Sequence, residues 1–240
     1  EYDGPIDLVI FYDATSGMIE ATVNNGQNGP ATGVELSFDF ADTTSEDGDI
    51  VKIMIDPDDG SDPIEADPSE NAVLTYTWLT HGVFDVKLSV EDEEGNEHWK
   101  NIDVKIDMRV VWEETNTASA SQEFDATPDC EDGDPLPDRI TITSTVTNPG
   151  GPPWAPGGNS DVSWYLNNPG GETIGESEGT LSPDTPETWE YTTRDTAEGI
   201  WTLLVEVDQD GANTDNVNVN NEVIIVYAEG AEDSPNPREE

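Results

Sequence analysis

The sequence is short of the residues that enzymes most often spend on chemistry. It has one cysteine, Cys130, and two histidines, His81 and His98, in 240 residues. A single cysteine excludes a disulfide within the chain. Cys130 sits in "PDCEDGDP", with no Lys or His beside it and with carboxylates that oppose a thiolate, so it makes a poor nucleophile. We read it as an inert side chain in a loop, with pairing between two chains as the alternative. The histidines form neither an H-x-x-x-H nor an H-x-x-E-H pattern. No G-x-S-x-G elbow and no Gly-rich phosphate loop leading into a helix occurs. Catalysis here would have to rest on carboxylates alone. Also missing is any apolar run of 18 residues, so no membrane-spanning helix is expected. The opening "EYDGPID" reads as a processed or trimmed start, and any anchor is expected outside this sequence.

Positive charge is scarce too. Eight Lys and Arg stand against 54 Asp and Glu, a formal charge of −46. Such a surface repels phosphate backbones and anionic headgroups, which argues against nucleic acid and against direct membrane insertion. Mutual repulsion destabilises the compact state unless salt or bound metal offsets it. High salt and millimolar divalent cation outside a cell are the two settings that fit.

Helical periodicity is nearly absent. Short alternating runs separated by Gly, Pro, Asn and Asp give the pattern of an all-β protein. We expect strands at 6–13, 17–24, 34–40, 50–56, 72–78, 83–92 and 98–106 in the first half. The second half carries expected strands at 108–114, 139–148, 161–168, 188–194, 200–208 and 222–228. In "VFDVKLSV" the residues Phe84, Val86, Leu88 and Val90 share the face that must be buried. The fold class follows: two tandem immunoglobulin-like β-sandwiches. Their spans are 1–107, with an extra N-terminal segment, and 108–230. Residues 231–240 read as a tail, linker or frayed end. The run "HWKNIDVKIDMRVVW" has almost no turn residues, so the last strand of one unit should pass directly into the next.

The first half resembles a PKD domain, an extracellular β-sandwich. The residues that carry the resemblance are "SEDGDI" (45–50), "IMIDPDDGSD" (53–62) and "YTWLTHGVFDVKLSVEDEEGN" (76–96). Tyr76, Gly82, Phe84, Val86, Leu88, Val90, Asp92 and Gly95 keep the family spacing. The middle departs: Met54 or Ile55 stands where the family has Trp. This resemblance covers about residues 33–107. The second half is similar to a CARDB-type adhesion module, through "ITITSTVTNPG" (140–150), "GTLSPDTPETWEYTT" (179–193), "GIWTLLVEVDQDG" (199–211) and "NVNVNNEV" (216–223). Together the resemblances imply a secreted or surface-attached scaffold.

Acidic loops are the candidate metal sites. "SEDGD" supplies Asp47 and Asp49, and "DPDDGSD" supplies Asp56, Asp58, Asp59 and Asp62. The late loop supplies Asp208, Asp210 and Asp215, and the acidic Cys130 loop (125–138) is a third candidate of equal standing. Gly60 stands fifth from Asp56, which breaks the EF-hand spacing, but calcium accepts six to eight oxygens from separate loops. The competing reading is structural: Asp59-Gly60 makes a tight turn, Gly60 supplies positive φ, and the carboxylates face water. Of seven tryptophans, Trp154 in the Pro/Gly-rich loop is the one expected to be exposed and able to stack on a sugar. Trp78, Trp112, Trp164, Trp189 and Trp201 lie in strands and are expected in the core.

The sequence therefore points to a non-catalytic extracellular protein, part of a cell surface, surface layer or filament. Its expected partners are copies of itself or other surface proteins, with Ca2+ or salt assisting. Strand donation by residues 5–13 is a further route to assembly. The alternative is an accessory module of a secreted hydrolase that binds polysaccharide.

Overall fold

A computed structural model describes residues 4–130, 135–150, 158–208 and 216–239. Every regular element is a strand. In the first half these are β1 (Ile6–Asp7), β2 (Ser16–Asn24), β3 (Gln27–Asn28), β4 (Val34–Asp39), β5 (Thr44–Ser45), β6 (Ile50–Asp56), β7 (Ile64–Ala66), β8 (Val73–Trp78) and β9 (Gly82–Asp92). Strand β10 (Glu97–Thr117) joins the halves. There follow β11 (Ser119–Asp125), β12 (Arg139–Thr147), β13 (Ser160–Asn167), β14 (Thr173–Leu181), β15 (Pro186–Thr193), β16 (Ile200–Asp208) and β17 (Val217–Val226).

Two cores result. In the first, Phe38, Ile53, Ile55, Trp78, Phe84, Val86, Leu88 and Ile106 are buried together. In the second, Ile140, Ile142, Trp164, Leu166, Trp201, Leu203, Val223 and Ile225 are. Alternation is the cause. Inward residues on β9 and β12 are apolar apart from Asp92 and Ser144, and outward ones are mostly polar, so each strand buries one face between two sheets.

The halves share backbone. Strand β10 is 21 residues long and continuous. Its first part pairs antiparallel with β9, from Glu97↔Glu91 to Ile106↔Gly82. Its second part pairs with β17, beginning at Met108↔Ile225. Strand β2 lies parallel along the opposite edge, from Lys105↔Ser16 to Glu113↔Asn24, and so splints the handover. The result is a nine-stranded sheet ordered β15-β12-β17-β10-β9-β6-β7, with β2 and β3 beside it. A sheet β11-β16-β13-β14 closes the second sandwich, and the pairs β4-β8 and β1-β5 close the first.

The N-terminal segment does not match the idea of strand donation. Ile6, Ile10 and Tyr12 are buried in this chain's own first core, so donating them would open it. The closing segment is also engaged. It turns back from β17 and runs along the first sandwich. The Asp233 N–H donates to the Asp103 carbonyl (3.0 Å), and Asn236 exchanges two backbone bonds with Tyr12 (2.9 Å each). Composition alone had suggested a linker or a frayed end.

Candidate functional site

The loop "DPDDGSD" joins β6 to β7, and its carboxylates are taken up by local bonds. Asp58 stands at φ 62° and its Oδ2 accepts the Asp85 N–H at 2.9 Å. Asp59 Oδ2 accepts the Tyr76 hydroxyl at 2.6 Å, and its Oδ1 accepts from the Ser61 N–H and hydroxyl. Burial and then the Asp59 partner push the Tyr76 phenol above its ordinary range. Gly60 adopts φ 75°, the left-handed conformation that a turn needs. Asp56 is half-buried on the outer face of β6, and Asp62 is exposed.

The other acidic candidates are dispersed. Asp47 and Asp49 are exposed beside β6, where the Asp49 carbonyl accepts the Glu93 N–H. Asp208 is exposed at the end of β16, opposite Asp161. Asp210, Asp215 and Trp154 lie outside the described residues. Among the described residues, no three His, Cys, Asp or Glu side chains come together as a metal would require. The structure brings "SEDGD" against the turn after β9, through Ser45 to Asp92 and Asp49 to Glu93, while "DPDDGSD" lies at the opposite end of β6.

The aspartate that the PKD-like motif places at position 92 has a clear structural task. Asp92 is the last residue of β9, at the turn into β10, and is almost fully buried. Burial works against its charge. The Asn96 side chain, the Ser45 hydroxyl and the N–H groups of Asn96 and Glu94 all donate to it and prevail, holding the carboxyl down to about 2. Gly95 supplies φ 81° to the same turn. Tyr76 packs edge-on against Trp78, with ring centroids 4.7 Å apart. The motif is one of fold, not of chemistry.

Two features were not legible in the sequence. The first is a junction cluster. His81 is buried, with Nδ1 2.8 Å from the Tyr227 hydroxyl and Nε2 3.1 Å from the Asp125 carbonyl. That carbonyl can only accept, so Nε2 carries the proton and Nδ1 accepts from Tyr227. Burial lowers the His81 pKa, and raises that of Tyr227 well above its normal value. A cleft of about 350 Å³ opens beside this pair, lined by Leu79, Thr80, Met108, Thr127, Pro128 and Asp129. Cys130 lies half-buried against the first core. The second feature is Trp99. It is 54% exposed on the outer face of β10, with Lys87 Nζ 5.4 Å from its ring centroid. Ser89 lies directly across from it, and Met54 across from Ser89. The five tryptophans assigned to strands, Trp78, Trp112, Trp164, Trp189 and Trp201, are all buried.

Residues 20–106 match the PKD domain. The match starts at Glu20 and so takes in most of β2, which sequence reading had left as an unassigned addition. Solved structures offer remote likenesses. One is described as the structural basis for the promiscuous specificity of carbohydrate-binding modules from the β-sandwich superfamily; it is 14% identical, with 95% of this chain and 100% of that chain covered, at TM-score 0.32. Another is the PKD1 domain of Vibrio anguillarum Epp, 15% identical, with 42% and 95% covered, at TM-score 0.28. A third is the Bacillus endospore appendage, described as forming disulfide-linked pili, 12% identical, with 51% and 88% covered, at TM-score 0.28. Likenesses this remote bear on neither ligand nor partner. No curated protein matches the chain. Among the described residues, no helix is long and apolar enough to cross a membrane.

Proposed function

We propose that the protein is a non-catalytic extracellular structural or adhesive unit, a component of a cell surface, surface layer or filament. The observation that carries this reading is the 21-residue strand β10, which serves both cores and makes one stiff element of two sandwiches. The disposition of the carboxylates agrees. Asp58, Asp59 and Asp92 hold turns together and are not gathered around a pocket. The PKD match over residues 20–106 supports a modular, surface-exposed role. We read the second sandwich as an adhesion module of CARDB type on its sequence motifs.

Contacts between copies that each carry a charge of −46 require screening or bridging cations. The test is light scattering behind a sizing column in ~1 M salt, with calcium and then with a chelator. Ordered assembly with calcium and a monomer without it are expected. A monomer in both runs would remove the lattice and filament reading.

Trp99 favours a second reading, a polysaccharide-binding module. A half-exposed indole on the outer face of β10 offers a stacking surface for a sugar ring, flanked by the polar side chains of Lys87 and Ser89. Trp99→Ala should then abolish co-sedimentation with an insoluble neutral polysaccharide and leave the melting temperature within about 2 °C, because the side chain lies outside both cores. Unchanged co-sedimentation, or none by the parent, would exclude this reading.

A further inference from the structure

Residues 228–239 leave the second sandwich at Tyr227, the last buried residue, and return along the first. We propose that this segment is a salt-gated strap: it is closed across the first sandwich when charge is screened, and released at low ionic strength while both sandwiches remain folded. The strap's own composition is the first argument. It has no buried apolar side chain, since residues 233–239 are exposed and Ala231 and Glu232 are half-buried. Apolar burial therefore does little to hold it, and the balance of polar terms decides.

The attractions act at contact distance. Besides the backbone bonds to Asp103 and Tyr12, the Asp103 N–H donates to Asp233 Oδ2 at 3.1 Å and Asn236 Nδ2 donates to the Ile10 carbonyl at 2.7 Å. The Thr15 hydroxyl donates to the Asp233 carbonyl. Lys105 pairs with Glu232 at 3.1 Å. Arg238 reaches Asp42 at 2.8 Å and Asp39 at 3.1 Å, with its guanidinium 4.6 Å from the Phe11 ring centroid.

The repulsions act over longer distances. Residues 228–240 bear five carboxylates against one guanidinium, and the rest of the chain has 49 carboxylates against seven cationic side chains. The charge of Glu232 already helps burial to push Asp107 upward. The Debye length falls from about 10 Å at ~0.1 M salt to about 3 Å at 1 M. Screening over that range removes most of the dispersed repulsion. It weakens contact ion pairs less and leaves the backbone bonds in place. The net effect of salt is to close the strap. Closure ties the end of the second sandwich to the first, on β10 itself through Asp103 and Lys105 and beyond it at Ile10, Tyr12, Asp39 and Asp42, and restrains bending about the junction.

Amide hydrogen exchange on the whole chain tests this. The reporters are the N–H groups of Asp233 and Asn236, and the control is Val86, paired with Ile102 within the first core's sheet. Protection of both reporters should fall at least about tenfold from ~2 M to ~0.1 M KCl with Val86 unchanged. Glu229 and Glu239 hold no ion pair among the described residues. The double substitution Glu229→Gln, Glu239→Gln should therefore keep the reporters protected at lower salt, whereas Arg238→Ala should demand more salt. Equal protection at both salts overturns the strap. So does greater protection at low salt, loss only together with Val86, or no response to the Gln substitutions.

Discussion

At the scale of single residues, the carboxylates divide into those that build turns and those that only carry charge. Asp92 is of the first kind. Its folded pKa, about 2, lies below the ordinary carboxylate value, so its contribution is fully present above about pH 4 and is lost as pH falls toward 2. Asp92→Asn should lower the melting temperature at pH 7, and the gap from the parent should close between pH 4 and pH 2. Differential scanning calorimetry across that window checks it. A gap that stays constant would mean that the turn is held by other bonds. His81 shifts the same way, lowered by burial. Its neutral form is the folded one, so its stabilising effect is present above about pH 6.5 and declines as acid protonates it. His81→Gln should cost stability at pH 8 and progressively less on acidification to pH 5. A parent–variant difference that is flat with pH would contradict a neutral, junction-holding imidazole.

At the scale of elements, the strongly alternating strands could be read directly. Strands β6, β9, β12 and β16 fall within a residue of their expected limits, because each places apolar side chains at alternate positions, broken only by Ser144 in β12. Five strands escaped: the short β3, β5 and β7, and the longer β11 and β14. β11, "SASQEFD", buries only Ala120, Gln122 and Phe124, and β14, "TIGESEGTL", carries two glycines and four exposed polar side chains. Their place is set by partners, β16 and β13, and not by their own propensity. The join was legible as a lack of turn residues, but not as one strand. The splint β2 was seen as a strand with no partner, since pairing across 89 residues leaves no local trace. Trp99 was misjudged by omission: it follows the outward phase of β10, which its bulk obscured. Gly17 marks how closely β2 is fitted. A Cβ there would stand 2.4 Å from Val34 Cγ1 and 2.9 Å from Cγ2. Gly17→Ala should therefore destabilise by about 1–3 kcal/mol through overpacking. Urea titration measures it, and a loss below ~0.5 kcal/mol would show that Val34 can move aside at little cost.

At the scale of the molecule, shared strands imply shared stability. Phe84 anchors the first core and Trp201 the second. Phe84→Ala or Trp201→Ala should each cost about 3–5 kcal/mol and shift a single cooperative transition. Two separated transitions in calorimetry would show that β10 does not couple the halves. The ends of the chain give a mechanical consequence. Ile6 pairs with Ser45 and lies against His98, at the start of β10, while Arg238 is held by Asp39 and Asp42 in the same half. Residues 6 and 238 thus both lie on the first sandwich, and the chain between them passes out to the second and back. A tug between those two residues would load the bonds joining Tyr12 to Asn236 and bypass the second sandwich. Only after those bonds parted would tension reach β17 and the second core. The outer half is shielded from stretch, so whatever surface it presents would keep its shape under pull.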